Sequence, residues 1–508
     1  MKKLSFTFYF LFFIVCFSFA QPSHEFRAVW IATVDNIDWP TKGNYNSDSQ
    51  KLEFIKILDM HKRNGMNAVI VQIRPATDAF YPSSYEPWSE WLTGKQGQPP
   101  FPYYDPLQFM IEETHKRGME FHAWCNPYRA VFRNGFSSIS SSHITKIHPE
   151  WFLNYGETKY FDPGNKDVQQ YVMNVIRDVV KRYDIDAIHF DDYFYPYRIA
   201  GKEFPDNASF IKYGNGLSKE DWRRSNVDSI ILMLSKVIKE EKKYCKFGIS
   251  PFSVWRNIDK DSTGSHTRAG QTNYDDLYAN VVLWLKNGWI DYVAPQLYFE
   301  FTHRAVPYDS ILNWWANHSY GKHCYIGLAM YRANSNPAWR DKTLLPKEIE
   351  LLRTYPQVQG EIYFSSKSFD KNPNGWNDSL QNNYYKYPAL IPPMDWIDST
   401  KPEQPVLMNA TIINDSVAVQ LQAPAHADSL KFFYIENVQA GKIEKIFLIA
   451  TSSLYKIKLP KNEVKTDFAL FYTSKNNVDA QADLFITIQK NDRGNFIINQ
   501  TNAPQIVK

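Results

Sequence analysis

The chain has 508 residues, of which 44% are hydrophobic and 22% charged, so it is too apolar for a disordered protein and long enough for at least two domains. Its 57 basic and 54 acidic side chains leave a formal net charge of +3, which excludes the strong basic excess of a nucleic-acid-binding surface. The 15 Trp, 32 Tyr and 34 Phe suit either a large core or a cleft whose rings stack on sugars.

Met1-Lys-Lys3 precedes an uncharged apolar run from Leu4 to Phe19, and Ser18 and Ala20 place small residues where a signal peptidase reads. Residues 1–20 therefore read as a secretory signal. The run is shorter than the ~20 residues of a spanning helix, and no stop-transfer charges follow. Cleavage after Ala20 is expected, leaving no integral membrane span and placing the mature chain in the periplasm or cell envelope. Three cysteines then remain, Cys125, Cys245 and Cys324, an odd number that cannot make a disulfide framework; they read as buried small apolar residues.

From residue 21 to about 395, β-branched and aromatic runs alternate with stretches of helical periodicity, the pattern of βα units. Eight strands are predicted: Phe26 to Val34, Asn67 to Pro75, Glu120 to Tyr128, Asp186 to Tyr195, Lys246 to Ser253, Asp291 to Phe299, Cys324 to Arg332 and Gly360 to Ser368. They are apolar on both faces, as buried parallel strands are. Helix punctuation lies between them. Asp105-Pro106 opens a helix that His115-Lys-Arg-Gly118 closes, Ser218 with Asp221 makes a capping box, and Val168, Val172, Val175 and Val179 form an apolar stripe. Eight consecutive units without a glycine-rich phosphate turn after the first strand predict a closed (β/α)₈ TIM barrel. After the prolines at 388, 392, 393, 402 and 405, the segment 396–508 carries short alternating runs (Thr411 to Leu421, Leu430 to Ile435, Ile443 to Ala450, Phe468 to Thr473 and Ala482 to Ile488). These predict a small β-sandwich, read as an accessory module with a frayed last dozen residues.

Active sites of TIM barrels lie at the C-terminal ends of the strands, and here those ends are polar. The fourth strand runs into Asp191, Asp192 and Tyr193; burying two carboxylates there is costly unless they are hydrogen-bonded, paired or functional. Other ends supply Arg74 and Asp78, His122, Trp124, Asn126 and Arg129, Trp255, Gln296 with Tyr298 and Glu300, and Tyr331. Glycoside hydrolysis needs this set: two carboxyl groups flank the bond, amides and arginines hold hydroxyls, and aromatics stack on sugar faces. Asp191, Asp192 and Glu300 are the candidate catalytic carboxylates, with Glu300 the favoured partner of the strand-four pair. Glu361 falls at a strand start, nearer the barrel bottom. His122, His189, Asp191 and Asp192 could ligate Zn²⁺, as in a metal-dependent deacetylase, but no His-x-His follows strand one and no His-Glu-x-x-His occurs, so neither metal nor cofactor is expected. His189 reads as a core histidine. No Gly-x-Ser-x-Gly elbow points to a serine nucleophile.

The blocks Phe26-Arg-Ala-Val-Trp-Ile-Ala-Thr33, Val71-Gln-Ile-Arg-Pro-Ala-Thr-Asp-Ala-Phe-Tyr81, Phe121-His-Ala-Trp-Cys-Asn-Pro-Tyr-Arg129, Ile188-His-Phe-Asp-Asp-Tyr-Phe-Tyr-Pro196, Ser250-Pro-Phe-Ser-Val-Trp-Arg-Asn257 and Ala294-Pro-Gln-Leu-Tyr298 resemble the glycosyl-hydrolase-like family 10 proteins in the same order. The resemblance covers about residues 25 to 370. It implies a secreted or envelope-associated (β/α)₈ glycosidase domain acting on bacterial cell-wall glycan, particularly strands stripped of their peptides, with a C-terminal fibronectin-type-III-like sandwich. Another polysaccharide, or glycan binding without turnover, is the alternative. The resemblance also implies site roles for Arg74, Asp78, His122, Asn126, Arg129, Asp191, Asp192, Gln296 and Tyr298. Thr77 stands where glycine is expected, and Cys125 where an aliphatic is usual. The strand-four segment further resembles chitinase-like barrels, in which one catalytic acid acts while the substrate's own acetamido group attacks; a strand-four Asp with Tyr298 would then suffice without Glu300.

Overall fold

The computed structural model describes residues 21–403 without a break and, beyond them, 406–413, 416–422, 430–436, 445–449, 454–458, 465–478, 484–490 and 496–502. The signal segment 1–20 lies outside the described residues. Eight parallel strands close into a barrel: β1 (Phe26–Ile31), β2 (Ala68–Arg74), β3 (Glu120–Cys125), β4 (Ala187–Phe190), β5 (Lys246–Ile249), β6 (Tyr292–Val293), β7 (His323–Leu328) and β8 (Val358–Tyr363). Each of the eight predicted runs overlaps one strand, the seventh and eighth strands starting one and two residues before their runs. The strands are shorter than the runs because the chain leaves the sheet where its polar residues begin, and those residues become the barrel mouth.

Residue-level expectations for the helices also hold. Asp105 caps the helix Pro106–His115 by accepting from Gln108 N at 3.2 Å, and Ser218 caps Lys219–Glu241 by accepting from Asp221 N at 3.1 Å. The valine stripe of Lys166–Arg182 is fully buried. Cys125, Cys245 and Cys324 are buried free thiols. A long insertion after β3 adds a three-stranded antiparallel sheet (Arg129–Val131, Phe152–Tyr155, Thr158–Phe161) beside the mouth.

The barrel interior is aromatic yet crossed by a column of polar groups. The Tyr292 ring enters the centre over Gly248, where a Cβ would sit 1.9 Å from that ring. Trp30 Nε1 donates to His189 Nε2 at 3.1 Å, so the other ring nitrogen, Nδ1, carries the proton of the neutral imidazole and donates to Tyr292 Oη at 2.9 Å. Tyr292 then donates to His122 Nδ1 at 2.8 Å, and His122 Nε2 donates to Glu120 at 3.0 Å. Burial holds both histidines below the usual imidazole range, which keeps the column neutral down to Glu120. Glu120 also receives Lys246 Nζ at 2.5 Å. His189 is thus the core histidine expected. His122, expected in the substrate site, belongs to this column instead, because its position in mid-strand points it into the closed barrel.

Beyond the barrel lie two antiparallel sheets. One has the order Leu407–Ile413, Ser416–Leu421, Leu454–Lys458, and the other the order Lys445–Ile449, Leu430–Glu436, Lys465–Ser474, Leu484–Lys490, Phe496–Asn502. The run Thr411 to Leu421 is a hairpin rather than one strand. Of the last dozen residues, expected to fray, 497–502 instead pair along Leu484–Lys490 as part of Phe496–Asn502, and 503–508 lie outside the described residues. The turn after Ser474 docks on the barrel base: Asn476 O accepts from Met394 N at 3.0 Å, Lys475 Nζ lies 3.1 Å from Asp184, and Asn477 Nδ2 donates to Glu120 Oε1 at 3.0 Å. Asn477 is 5% exposed, so this turn covers the Glu120 end of the barrel.

Asn477→Ala takes a donor from a buried carboxylate, which costs about 1–3 kcal/mol. Thermal melting should show a lower midpoint than the wild type, and removal of residues 399–508 a larger loss; unchanged midpoints in both would show that the turn does not seal the barrel.

Candidate active site

Beyond β4, the first two residues are Asp191 and Asp192, 5% and 2% exposed, at the floor of a cavity of about 520 Å³ in the barrel mouth. Successive strand side chains diverge, so adjacent carboxylates leaving one strand end meet different neighbours. Asp191 Oδ2 accepts from Trp124 Nε1 at 3.2 Å, and both its oxygens accept from Asn126 Nδ2, at 3.2 and 3.0 Å. Burial pushes its carboxyl up, opposed by the Arg129 guanidinium and these N–H donors. Asn126 is fixed in turn, its Oδ1 accepting from Arg129 N at 2.9 Å.

Asp192 sits differently. Burial, and then the charge of Asp191, push its carboxyl up to about 7, against hydrogen bonds from Tyr197 and Gln296. Two carboxylates side by side share the site unequally: Asp191 has the donors that oppose burial and is the one whose charge acts on its neighbour, while Asp192 is pushed up to about 7. That is the pairing of an ionised carboxylate with a carboxylic acid.

The walls are aromatic: Trp30, Trp124, Phe132, Tyr193, Tyr197, Phe252, Tyr298, Phe299, Tyr331 and Phe364. Tyr331, half exposed, packs edge-on against Tyr298 and Phe364 with centroids 5.8 Å apart in each case. Arg129, Gln296, Gln72 and Arg332 supply the polar wall. Gln72 Oε1 accepts from Thr33 N and Val34 N, while its amide nitrogen has no partner among the described residues.

Of the side chains predicted from the sequence, the cavity brings together Trp124, Arg129, Asp191, Asp192, Tyr193, Gln296, Tyr298 and Tyr331, with Asn126 just behind them. Five lie elsewhere. Arg74 is buried against Glu86 at 2.5 Å and donates to the carbonyls of Asn126 and Pro127, so it shapes the β3 loop. Asp78 accepts from Ala76 N at 3.1 Å inside its own loop. His122 lies in the interior column. Trp255 stacks on Trp314, centroids 5.6 Å apart, beside a separate pocket. Glu300 accepts from Trp339 Nε1 at 3.1 Å and does not line the cavity, because β6 ends at Val293 and the irregular chain beyond carries Glu300 past the mouth.

Sequence reasoning left out the wall residues Trp30, Gln72, Phe132, Tyr197, Phe252, Phe299, Arg332 and Phe364. Trp30 and Arg332 stand within strand-end blocks; Tyr197, donating to Asp192, lies beyond the Tyr-Pro turn and carries no local signal. No group of three or more His, Cys, Asp or Glu able to hold a metal occurs among the described residues.

The chain matches the sequence model of the glycosyl hydrolase-like 10 family over residues 25–343. It belongs to that family. The glycosyl hydrolase YngK of Bacillus subtilis (strain 168) is 48% identical over 440 residues, covering 85% of this chain and 86% of YngK. The glycosyl hydrolase DigH of Escherichia coli (strain K12) is 37% identical over 377 residues, covering 69% of this chain and 85% of DigH. The family blocks place Asp191, Asp192, Trp124, Asn126, Gln296 and Tyr298 around one cavity.

The raised Asp192 carboxyl has a measurable linkage. Between the unfolded carboxylate value and about 7 the folded chain binds a proton the unfolded chain has lost, so this group's contribution to stability falls as pH rises through that window. Asp192→Asn removes the dependence. Its melting temperature should rise relative to the wild type between about pH 4 and pH 7; parallel curves would show that Asp192 is not the protonated partner.

Proposed function

We propose that this member of the glycosyl hydrolase-like 10 family is a secreted, envelope-located glycosidase that cuts peptide-free glycan strands of the bacterial cell wall. The observation that carries the reading is the adjacent pair of Asp191, whose N–H donors and Arg129 oppose the upward push of burial, and Asp192, pushed up by burial and by the charge of Asp191, under an aromatic vault. The signal-like segment 1–20 supports secretion. The two antiparallel sheets of 396–508 support a fibronectin-III-like module that also closes the barrel of 21–395.

Among the described residues, no further carboxylate lines the cavity. A protein nucleophile acting with a separate acid normally stands ~5–5.5 Å from it across the scissile bond. The pair here fits the substrate-assisted variant, and cell-wall sugars carry the acetamido group it needs. Asp192 gives its proton to the glycosidic oxygen as the bond to C1 breaks. The acetamido oxygen of the same sugar attacks C1, and its N–H is held by the Asp191 carboxylate, which stabilises the positive charge developing on the resulting oxazolinium ring. Asp192, now ionised, takes a proton from water, whose oxygen attacks C1 and reopens the ring. Tyr298 and Gln296 face this exchange from β6's exit, and the rings hold the sugar faces.

Mass spectrometry of products from peptide-free peptidoglycan strands, intact peptidoglycan and chitin oligomers tests this. Asp192→Asn should lower kcat by about 10²- to 10⁴-fold while retaining glycan, Asp191→Asn should also be strongly impaired, and Glu300→Gln should keep activity. The kcat/KM of the wild type should fall above about pH 7 as Asp192 loses its proton. Full activity in both aspartate variants would sink the mechanism.

A further inference from the structure

The cavity carries two arginines, one on each side. Arg129 follows β3 and Arg332 follows β7, strands four apart in an eight-strand ring and so opposite each other. Arg129 is committed: its Nε donates to Pro75 O at 3.0 Å, its guanidinium lies 5.6 Å from the Tyr193 ring, and its charge acts on Asp191. Arg332 is not. It is held by one hydrogen bond, Nη1 to Tyr298 O at 2.8 Å, with its guanidinium 5.8 Å from the Trp339 ring, and it makes no ion pair with a carboxylate among the described residues. A guanidinium fork anchored at one nitrogen keeps donors for a planar anion. Beside it stands the half-exposed Tyr331 on its platform of Tyr298 and Phe364, a surface for a sugar face.

We propose that Arg332 is a specificity-determining residue that binds the carboxylate of a carboxylate-bearing sugar stacked on Tyr331. The assignment rests on the glycosidase reading and deepens it. In peptidoglycan the lactyl carboxylate of the muramoyl sugar is an amide while the stem peptide is attached. Removing the peptide frees the negative charge, so Arg332 gives the cavity a means of selecting stripped strands. A uronic acid offers the same chemistry.

The test compares peptide-free strands, the same strands with lactyl carboxylates amidated, hyaluronan oligomers and chitin oligomers. Wild-type kcat/KM should favour free over amidated strands by about 10- to 100-fold, as loss of a charge-assisted pair implies. Arg332→Gln should drive that ratio toward one, and Arg332→Lys should restore part of it. An equal ratio in wild type and Arg332→Gln overturns the assignment while leaving the glycosidase reading intact. A ratio that depends on Arg332 for hyaluronan but not for peptidoglycan keeps the carboxylate site and makes its ligand a uronate. Absence of product from every glycan overturns the glycosidase reading. The dissociation constants of Asp192→Asn, with and without Arg332→Gln, for free and amidated strands then decide the carboxylate site without turnover.

Discussion

The structure depends on satisfying polar groups inside a closed barrel. An eight-stranded barrel has an interior just wide enough for side chains, and a polar atom left there unpaired is expensive. Here five polar side chains form one directed column, each donating to the next from Trp30 at the cavity floor through His189, Tyr292 and His122 to Glu120 at the base. The direction is fixed at its upper end: an indole can only donate, so each partner's tautomer follows. At the lower end Glu120 ends the column against Lys246 and Asn477. The column ties the ring that floors the site to a turn of the C-terminal module, which is why that module is part of the barrel's closure.

The same constraint at the mouth produces chemistry. Two adjacent aspartates, nearly excluded from water, cannot both ionise without large cost, so the donors around each decide which does. Trp124 and Asn126 reach only Asp191, and Arg129 adds positive charge on the same side. Asp192 is left with Tyr197, Gln296 and its neighbour's charge. Neither carboxylate alone would differ much from an ordinary buried aspartate; the pair divides the roles of anion and acid.

What the sequence made legible was periodic or consecutive. Both-faced apolar runs gave eight strands, caps gave the helix ends, and Asp191-Asp192 directly after a strand gave the centre of the cavity. What it concealed depends on where the chain goes once periodicity ends. Glu300 looked close to a strand end, but β6 has only two residues and the loop after it is irregular. Arg74 and Asp78 are polar strand-end residues that brace loops, a role sharing its residue types with substrate binding. Tyr197 and Asn477 reach their partners through turns, and a lone Tyr or Asn in a turn carries no signal of a tertiary contact. Thr77, standing for an expected glycine, keeps the left-handed backbone that glycine would favour, with φ of 56°. A β-branched residue in that region is strained, and its hydroxyl, donating to Arg129 O at 3.0 Å, helps hold it there.

That last contact shows how the site is supported. Arg129 is held at its backbone by Asn126 and Thr77 and at its guanidinium by Pro75 O, so the loops after β2 and β3 meet at the residue whose charge opposes the upward push of burial on Asp191. The charge of Asp191 in turn adds to burial in pushing the Asp192 carboxyl up. The acid therefore depends on loops that never touch it, and a disturbance at Thr77 or Asn126 reaches it through two charges without any movement of Asp192 itself. A cavity built this way trades stability for a proton held near neutral pH, because each buried charge in the series is tolerated only while the next remains in place.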